Sequence, residues 1–542
     1  MKTDMKSVHF DKKNLIPIIT VFLFFSVFII LGYSIYKDYG VTPDEPIDFI
    51  RGQVNYTRMM GGSLAAFQKI CPKLENTCYY PPFFSMVLYA SAPTGDTQSI
   101  YLHRHQVTFA FFVFSAFIFF LLGKKIFKDW KIGLLGSLFL ILSPRIFSNS
   151  FYNPKDIPFL GAYIIAVYTM LLFLEKKNLF TAILHGVITA IACSIRTPGL
   201  IIIPVTFLFY LTDLILAKEP LNLKNLRQSK YFKAVLLGGA FLVVTAGLMV
   251  LFFPLLYTDP IGNLIKSFNL MKKYPWLGDQ LFMGTDIRRH IPWDYSIVWF
   301  AISSPLLYLV LFIAGLATLI YKTARTKIIT HLQSMRDLYV IAACGILPII
   351  IVIIEKSTLY NDNRQMYFVY PMLLLISLYG FKVGLDKLKQ ISIRWQFWAA
   401  AVLVVGLAYP VYFMARYHPN EQTYFNILAG TKMSEIEKNF TVDPWGLSVK
   451  QGLDFIVRTD AGQKIRVSLF DVSEYATDIL SKKDSDRLFF TDKNPEYVIW
   501  HVHISPLTSP GKKVFSVRVG DADILSIFKV DPASTGSLQP GN

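Results

Sequence analysis

The chain has 542 residues, of which 53% are hydrophobic and 17% charged, and its mean hydropathy is +0.42. Soluble domains carry roughly 25% charged residues, so the composition excludes a soluble multidomain enzyme. The 54 Lys and Arg outnumber the 37 Asp and Glu to give +17. These cations gather in short loops between apolar runs, which excludes nucleic acid as the partner and points to a lipid bilayer.

A membrane-crossing helix needs roughly 20 apolar residues. Runs of that kind are expected at 15–36, 107–123, 132–144, 157–174, 179–195, 199–216, 234–256, 295–321, 338–354, 366–381 and 397–414, about eleven spans. The first follows Lys2, Lys6, Lys12 and Lys13 and is too long for a signal-peptide core, so it reads as a retained anchor. Starting from a cytoplasmic N-terminus, the inner loops are short and basic: Lys124, Lys125, Lys128 and Lys131, then Lys176 and Lys177, then 218–233, 322–336 and 382–394. The positive-inside rule therefore places the longer, Pro-, Trp- and Asn-rich connections outside, together with everything after Arg416.

The outer loop 37–104 contains an amphipathic stretch at 47–60 suited to a membrane surface. Cys71 and Cys78 both fall in this loop, whereas Cys193 and Cys344 fall within or at the end of spans. A Cys71–Cys78 disulfide is expected in an oxidising compartment, and two free thiols in a reducing one. After the transmembrane part, 1–415, the composition changes. Strands are expected at 464–470, 496–504, 513–519 and 524–530 and helices at 448–458 and 473–482, so 416–530 reads as a small extracytoplasmic α/β domain. Residues 531–542 are rich in Ser, Gly and Pro and read as a disordered tail. No inverted repeat of the transporter kind is present.

Unusual polar residues cluster in the outer loops. Pro43-Asp44-Glu45-Pro46 follows the first span and reads either as a helix cap or as a carboxylate able to take a proton from a hydroxyl. The same alternatives hold for Asn153-Pro154-Lys155-Asp156 before the fourth span. Arg196, in the short turn before Thr197-Pro198-Gly199, either snorkels to the headgroups or holds a phosphate. His103 and Arg104 open the second span with the same ambiguity, and their spacing is not that of metal ligands. Asn361, Asp362, Asn363, Arg364 and Gln365 precede the tenth span and are more polar than a turn requires. Residues 257–294 carry Lys266, Lys272, Lys273, Arg288, Arg289, His290, Trp276 and Trp293, which suggests an interfacial helix with a basic patch for lipid phosphate. Two Asp-x-Asp triplets, Asp484 with Asp486 and Asp521 with Asp523, fall in expected turns, and a metal role for them is disfavoured.

These signals share the outer side. Sugar nucleotides are absent there, and the chain has no Walker or Rossmann glycine motif. A group-transfer enzyme on that face needs a donor already activated in the membrane, and a polyprenyl-phosphate-linked sugar satisfies this.

Asp44-Glu45 after the first span, Asn153-Pro154-Lys155-Asp156 after the third and Arg196-Thr197-Pro198-Gly199 after the fifth resemble the GT-C glycosyltransferases. The branch they look most like contains the protein O-mannosyltransferases and the lipid A aminoarabinose transferase. Asn361 to Arg364, His418-Pro419, Tyr424-Phe425-Asn426 and Asp443-Pro444-Trp445-Gly446 are similar to bacterial members of that branch. The resemblance implies transfer of a hexosyl or pentosyl group from a polyprenyl-phosphate donor, with inversion, to a lipid, glycan or protein acceptor at the periplasmic face of a bacterial inner membrane. It further implies Asp44 as base, Glu45 and Asp156 as supporting carboxylates, and Arg104, Arg196 and Arg364 on the donor phosphate. Lys155, Asn361, Asp362 and His103 are implied around the substrates, with no assigned cofactor beyond a possible divalent metal.

The chain departs from relatives within that superfamily. The β-trefoil repeats of eukaryotic mannosyltransferases are absent. The Trp-Trp-Asp motif of oligosaccharyltransferases is missing too, with only Trp293-Asp294-Tyr295 as a fragment. The competing reading is a transporter or flippase of lipid-linked sugars, but such a protein carries ionisable groups within its spans. Here His185 and the near-terminal Asp213 are the exceptions in spans otherwise free of charge.

Overall fold

The computed structural model describes residues 12–65, 67, 77–216, 229–276, 278, 280–288, 291–325, 328–470, 474–501 and 511–530. Cys71, Arg289, His290 and the expected tail lie outside the described residues. In chain order the helices are α1 (Lys12–Ile35), α2 (Asp44–Met59), α3 (Phe83–Ala90), α4 (Thr97–Phe127), α5 (Trp130–Ile141), α6 (Pro144–Tyr152), α7 (Asp156–Lys176) and α8 (Leu179–Ile195). They continue with α9 (Ile202–Leu216), α10 (Lys230–Phe252), α11 (Pro260–Lys272), α12 (Tyr295–Ser303), α13 (Leu306–Arg325), α14 (Ile328–Ile354), α15 (Tyr370–Ile391) and α16 (Trp395–Tyr417).

Among the described residues nine helical segments are long and apolar enough to cross a membrane, and ten if the bent pair α5–α6 counts as one span. The remaining expected run is α8, apolar but only 17 residues long. Arg196 at its end pairs with Asp156 at the start of α7, so α8 returns the chain to the end of the bundle that α7 leaves. α7 is the central helix, with 83% of its apolar window buried, against 17% for α1 and for α16. Those two present their apolar faces to lipid, as an all-round hydrophobic helix at a bundle periphery must. α13 and α15 cross through Gly315 and Gly380, where an added Cβ would strike the backbone of Ile376 and Leu311. Small residues at such a crossing let two backbones approach closely in lipid.

One expected span ends at a proline bend and another is broken at proline. Ser143 is extended and Pro144 starts α6, which turns by 70° from α5 and is buried along its whole length. The expected run 295–321 divides at Ser304-Pro305 into α12 and α13. Asn426 supplies the partners that the break frees, donating to the carbonyls of Ala301 at 2.6 Å and Ser304 at 2.7 Å. His185 is fully buried and lies 3.0 Å from the Thr169 hydroxyl and 2.9 Å from that of Thr206. Asp213 pairs with Arg336 and Lys177, each at 2.9 Å. Both groups hold helices together.

Beyond α16, helix α17 (Val449–Thr459) packs on a five-stranded sheet. A short hairpin, β1 (Leu281–Phe282) and β2 (Thr285–Asp286), precedes α12. The sheet itself comprises β3 (Ile465–Phe470), β4 (Leu488–Phe490), β5 (Tyr497–His501), β6 (Lys512–Val519) and β7 (Ala522–Lys529), in the order β4-β3-β5-β7-β6. β3 is parallel to β4 and β5, whereas β7 is antiparallel to β5 and β6. Leu453 and Ile456 of α17 are buried with Ile499, Leu525 and Ile527 of the sheet. The four expected strands form. β4 was not expected, and the expected helix within 473–482 is a 3-10 turn at Glu474–Ile479. β4 is three residues long, too short for a period-2 signal.

Candidate active site at one end of the bundle

The turn before α2 sets the orientation of the first acidic pair. Glu45 is buried, and its carboxylate accepts from the Thr42 N–H at 2.9 Å while its own N–H donates to the Thr42 carbonyl at 3.1 Å. Its other oxygen lies 3.3 Å from His105 Nε2. Arg104 donates to the Glu45 carbonyl at 3.3 Å and lies over the rings of Phe49 and Tyr101. Glu45 thus folds back onto the preceding turn, and Asp44 takes different partners. Its Oδ2 accepts from Lys155 Nζ at 3.3 Å and Arg364 Nη1 at 3.1 Å, with 27% of its side chain exposed. One turn on, fully buried Asp48 pairs with Arg51 and lies 3.9 Å from Lys155. Asp48 was not singled out in the sequence, although its i,i+4 spacing from Asp44 puts both carboxylates on one helix face.

The second carboxylate is held by an asparagine ladder. Asn149 accepts from Asn153 Nδ2 at 2.9 Å, and the same amide donates to Asp156 Oδ2 at 3.0 Å. Asn153 Oδ1 accepts from the Asp156 N–H at 2.9 Å, so Asn153 caps α7 and leaves the Asp156 carboxylate available. That carboxylate binds Arg196 through one oxygen and Arg364 Nη1, at 3.2 Å, through the other. Arg364 therefore bridges Asp44 and Asp156.

Arg364 is presented by a loop with two consecutive left-handed residues, Asn361 at φ +52° and Asp362 at φ +65°, a conformation Asn and Asp tolerate better than other side chains. Asp362 Oδ1 accepts from the Arg364 N–H at 2.6 Å, and Oδ2 accepts from Arg145 of α6 at 3.0 Å. The Arg364 guanidinium lies 5.1 Å from the Tyr360 ring centroid and 4.7 Å from that of Trp445. Asn361 faces a small polar pocket of about 10 Å³ shared with Asn149, Tyr152, Gln422 and Trp445. Arg145 gave no sequence signal, because only the bend at Pro144 brings α6 under this loop.

Burial alone would raise the Asp44 carboxyl, but Lys155 and Arg364 outweigh it and hold it well below the usual carboxylate range. Burial raises Asp362, against Arg145 and Arg364. Tyr80 is pushed well above the ordinary phenol value by burial, then by Tyr360, whose hydroxyl lies 3.2 Å away.

An apolar groove of about 330 Å³ leads to this cluster. Its walls are Leu200, Ile201 and Pro204, then Phe268 and Met271 of α11, Ile351 and Val352 of α14, and Phe368. Arg196, Tyr80 and Tyr360 line it as well, together with the Lys272–Glu355 ion pair. Within 257–294, where an interfacial helix is expected, α11 exposes Ile261 and Ile265.

The structure thus brings together Asp44, Lys155, Asp156, Arg196 and Arg364, with Asp362 and Asn361 in the supporting loop. Glu45 and Arg104 stand behind Asp44, and Arg104 makes no contact with the carboxylate cluster. His103 lies apart, its Nε2 3.1 Å from Ser91 Oγ. Asp521 accepts from Ser434, and Asp484 lies in the turn begun by Ser481. Among the described residues no three His, Cys, Asp or Glu side chains converge as metal ligands would. Cys78 is disulfide-bonded, while Cys193 and Cys344 are free and buried.

No family model matches the chain, nor does any curated protein. Among solved structures, the chain is similar to the Archaeoglobus fulgidus oligosaccharyltransferase in the apo form, at 12% identity and TM-score 0.43 over 76% of this chain. It is also similar to AglB from that organism in complex with an inhibitory peptide and a dolichol-phosphate, at 11% identity and TM-score 0.39 over 83% of this chain. The chain spans only 56% and 60% of the length of those archaeal chains. Its similarity to ArnT from Cupriavidus metallidurans bound to undecaprenyl phosphate covers 94% of this chain and 98% of that one, at 10% identity and TM-score 0.47.

Proposed function

We propose that this integral membrane protein is a GT-C-type glycosyltransferase that moves a sugar from a polyprenyl-phosphate donor to an acceptor hydroxyl at the outer membrane face, with inversion. One observation carries the reading: an apolar groove suited to an isoprenoid chain is lined in part by Arg196, which belongs to a cluster where two arginines and a lysine meet two carboxylates. The motif resemblance points the same way.

In this reading the donor tail occupies the groove and its phosphate competes with the carboxylates for Arg196 and Arg364. Asp44, the more exposed carboxylate, accepts the proton of the acceptor hydroxyl as that oxygen attacks the anomeric carbon from the face opposite the phosphate. The bond from that carbon to the phosphate oxygen breaks, and the leaving polyprenyl phosphate gains one negative charge. Arg364 and Arg196 face that charge, a contribution that grows toward the transition state. Drawing Arg364 onto the phosphate also removes a cation from Asp44, which raises its basicity when a proton must be taken. Asp156 holds both arginines, Lys155 spans Asp44 and Asp48, and Glu45 and Arg104 fix the turn that aims Asp44.

The test is transfer by the purified, lipid-reconstituted protein offered labelled polyprenyl-phosphate sugars, with membrane extract as acceptor. Label is expected in a new product with the wild type and not with Asp44→Asn. Label that only crosses the bilayer, with no donor consumed, would replace the enzyme with a transporter.

A further inference from the structure

The Asp443-Pro444-Trp445-Gly446 turn, in the segment that leads from the bundle to the C-terminal sheet, has no part in the proposed proton transfer, yet it touches the cluster. Asp443 is fully buried and accepts from Gln422 Nε2 at 3.2 Å, from the Leu447 and Ser448 N–H groups at 3.2 Å each, and from Ser448 Oγ at 2.8 Å. His501 of β5 lies 3.3 Å from its other side. One carboxylate therefore ties the turn to the sheet on one side and to Gln422, just beyond α16, on the other. Gly446 takes φ +63°, a left-handed turn that delivers the preceding side chain inward. That side chain is the indole of Trp445, 4.7 Å from the Arg364 guanidinium and edge-on to Tyr152 at 5.7 Å.

We infer that Trp445 is a positioning residue of the transfer site: with Tyr360 it packs against the Arg364 guanidinium, so that the segment leading to the C-terminal sheet sets the aim of the donor-phosphate arginine. This rests on the function proposed above. An arginine between two carboxylates can rotate about several torsions, and two rings leave its N–H edge free while fixing its plane. A fixed plane matters most where charge develops on the leaving phosphate, so the loss should fall on kcat more than on KM. Neither ring forms or breaks a bond.

The experiment is a double-mutant cycle on the full-length, lipid-reconstituted protein. Trp445→Ala should lower kcat about tenfold with donor KM changed less than about threefold. Trp445→Phe, which keeps a ring face, should recover most of that loss. In an Arg364→Lys background, where no planar guanidinium remains to be stacked, Trp445→Ala should cost less than about twofold. Binding of undecaprenyl phosphate alone should also change the tryptophan emission of the wild type more than that of Trp445→Phe, in which Trp276, stacked on Tyr360 at 4.3 Å, still reports on the groove. Equal, additive losses in both backgrounds would make Trp445 a merely structural residue and overturn the inference while leaving the transferase reading intact. A wild type that neither turns over any donor nor binds undecaprenyl phosphate would overturn both.

Discussion

Asp44 is a carboxylate held ionised by two cations, and this has a measurable consequence. Because Lys155 and Arg364 outweigh its burial, the acidic limb of kcat/KM should lie below the ordinary carboxylate range, at pH values under about 4. Lys155→Met removes one of the cations, so the Asp44 pKa rises and the limb should move to higher pH. A limb left in place would show that another group titrates. Asp44→Asn should lower turnover about a thousandfold, within the usual worth of a positioned base, without changing thermal unfolding. His418 offers a second test at this scale. Burial pulls its imidazole down, but Glu421 at 2.7 Å and Asp38 at 3.0 Å push it up to about 9. A pKa raised above the unfolded value of about 6.5 contributes stability fully below pH 6.5, which is lost as pH rises through 9. Detergent-solubilised protein should therefore lose thermal stability between pH 7 and 9.5, and His418→Gln should flatten that dependence.

At the scale of elements, two proline breaks shape the site. Composition marks 132–144 and 295–321 as apolar, and hydropathy alone gives neither the bend at the end of the first nor the division of the second. The chain instead bends at Pro144 and Pro305, because the residue before proline is driven out of the helical region and the freed carbonyls find partners. Asn426 serves the second break, and its removal would leave two carbonyls unpaired in the bundle. The first break turns α6 inward, where Arg145 supports Asp362 and so the Arg364 loop. The Gly315–Gly380 crossing makes a separate prediction. Gly315→Leu would press a side chain into the α15 backbone, and destabilisation of about 3 kcal/mol or more is expected from such overpacking. Thermal unfolding in detergent would register it, and an unchanged midpoint would mean that α13 and α15 can separate freely.

For the molecule as a whole, the charge pattern of the loops and the alternation of helices place the cluster and the C-terminal sheet on the same side. The expected orientation puts that side outside the cytoplasm. A single cysteine replacing Lys128 should react with an impermeant thiol reagent only from the cytoplasmic side, and one replacing Asn494 only from the other. Cys193 and Cys344 are buried and should stay silent. Reversed labelling would invert the topology and remove the periplasmic site from consideration.

Membrane class, the positions of most spans, the basic loops between them and the residues Asp44, Lys155, Asp156, Arg196 and Arg364 were legible in the amino-acid sequence alone. Hydrophobic length and charge placement are local properties, and five polar residues at span ends stand out against an apolar background. What Glu45, Arg104 and His103 do was not legible, since acidic and basic residues at a helix start look alike whether they cap, brace or bind. Only the tertiary structure turned Glu45 back onto Thr42, set Arg104 behind the turn and left His103 by Ser91. Asp48, Arg145 and the contact of Trp445 with Arg364 entered for the same reason. Each acts through a partner far away in sequence, and that pairing depends on a helix face, a proline bend or a left-handed glycine that becomes meaningful once the helices pack.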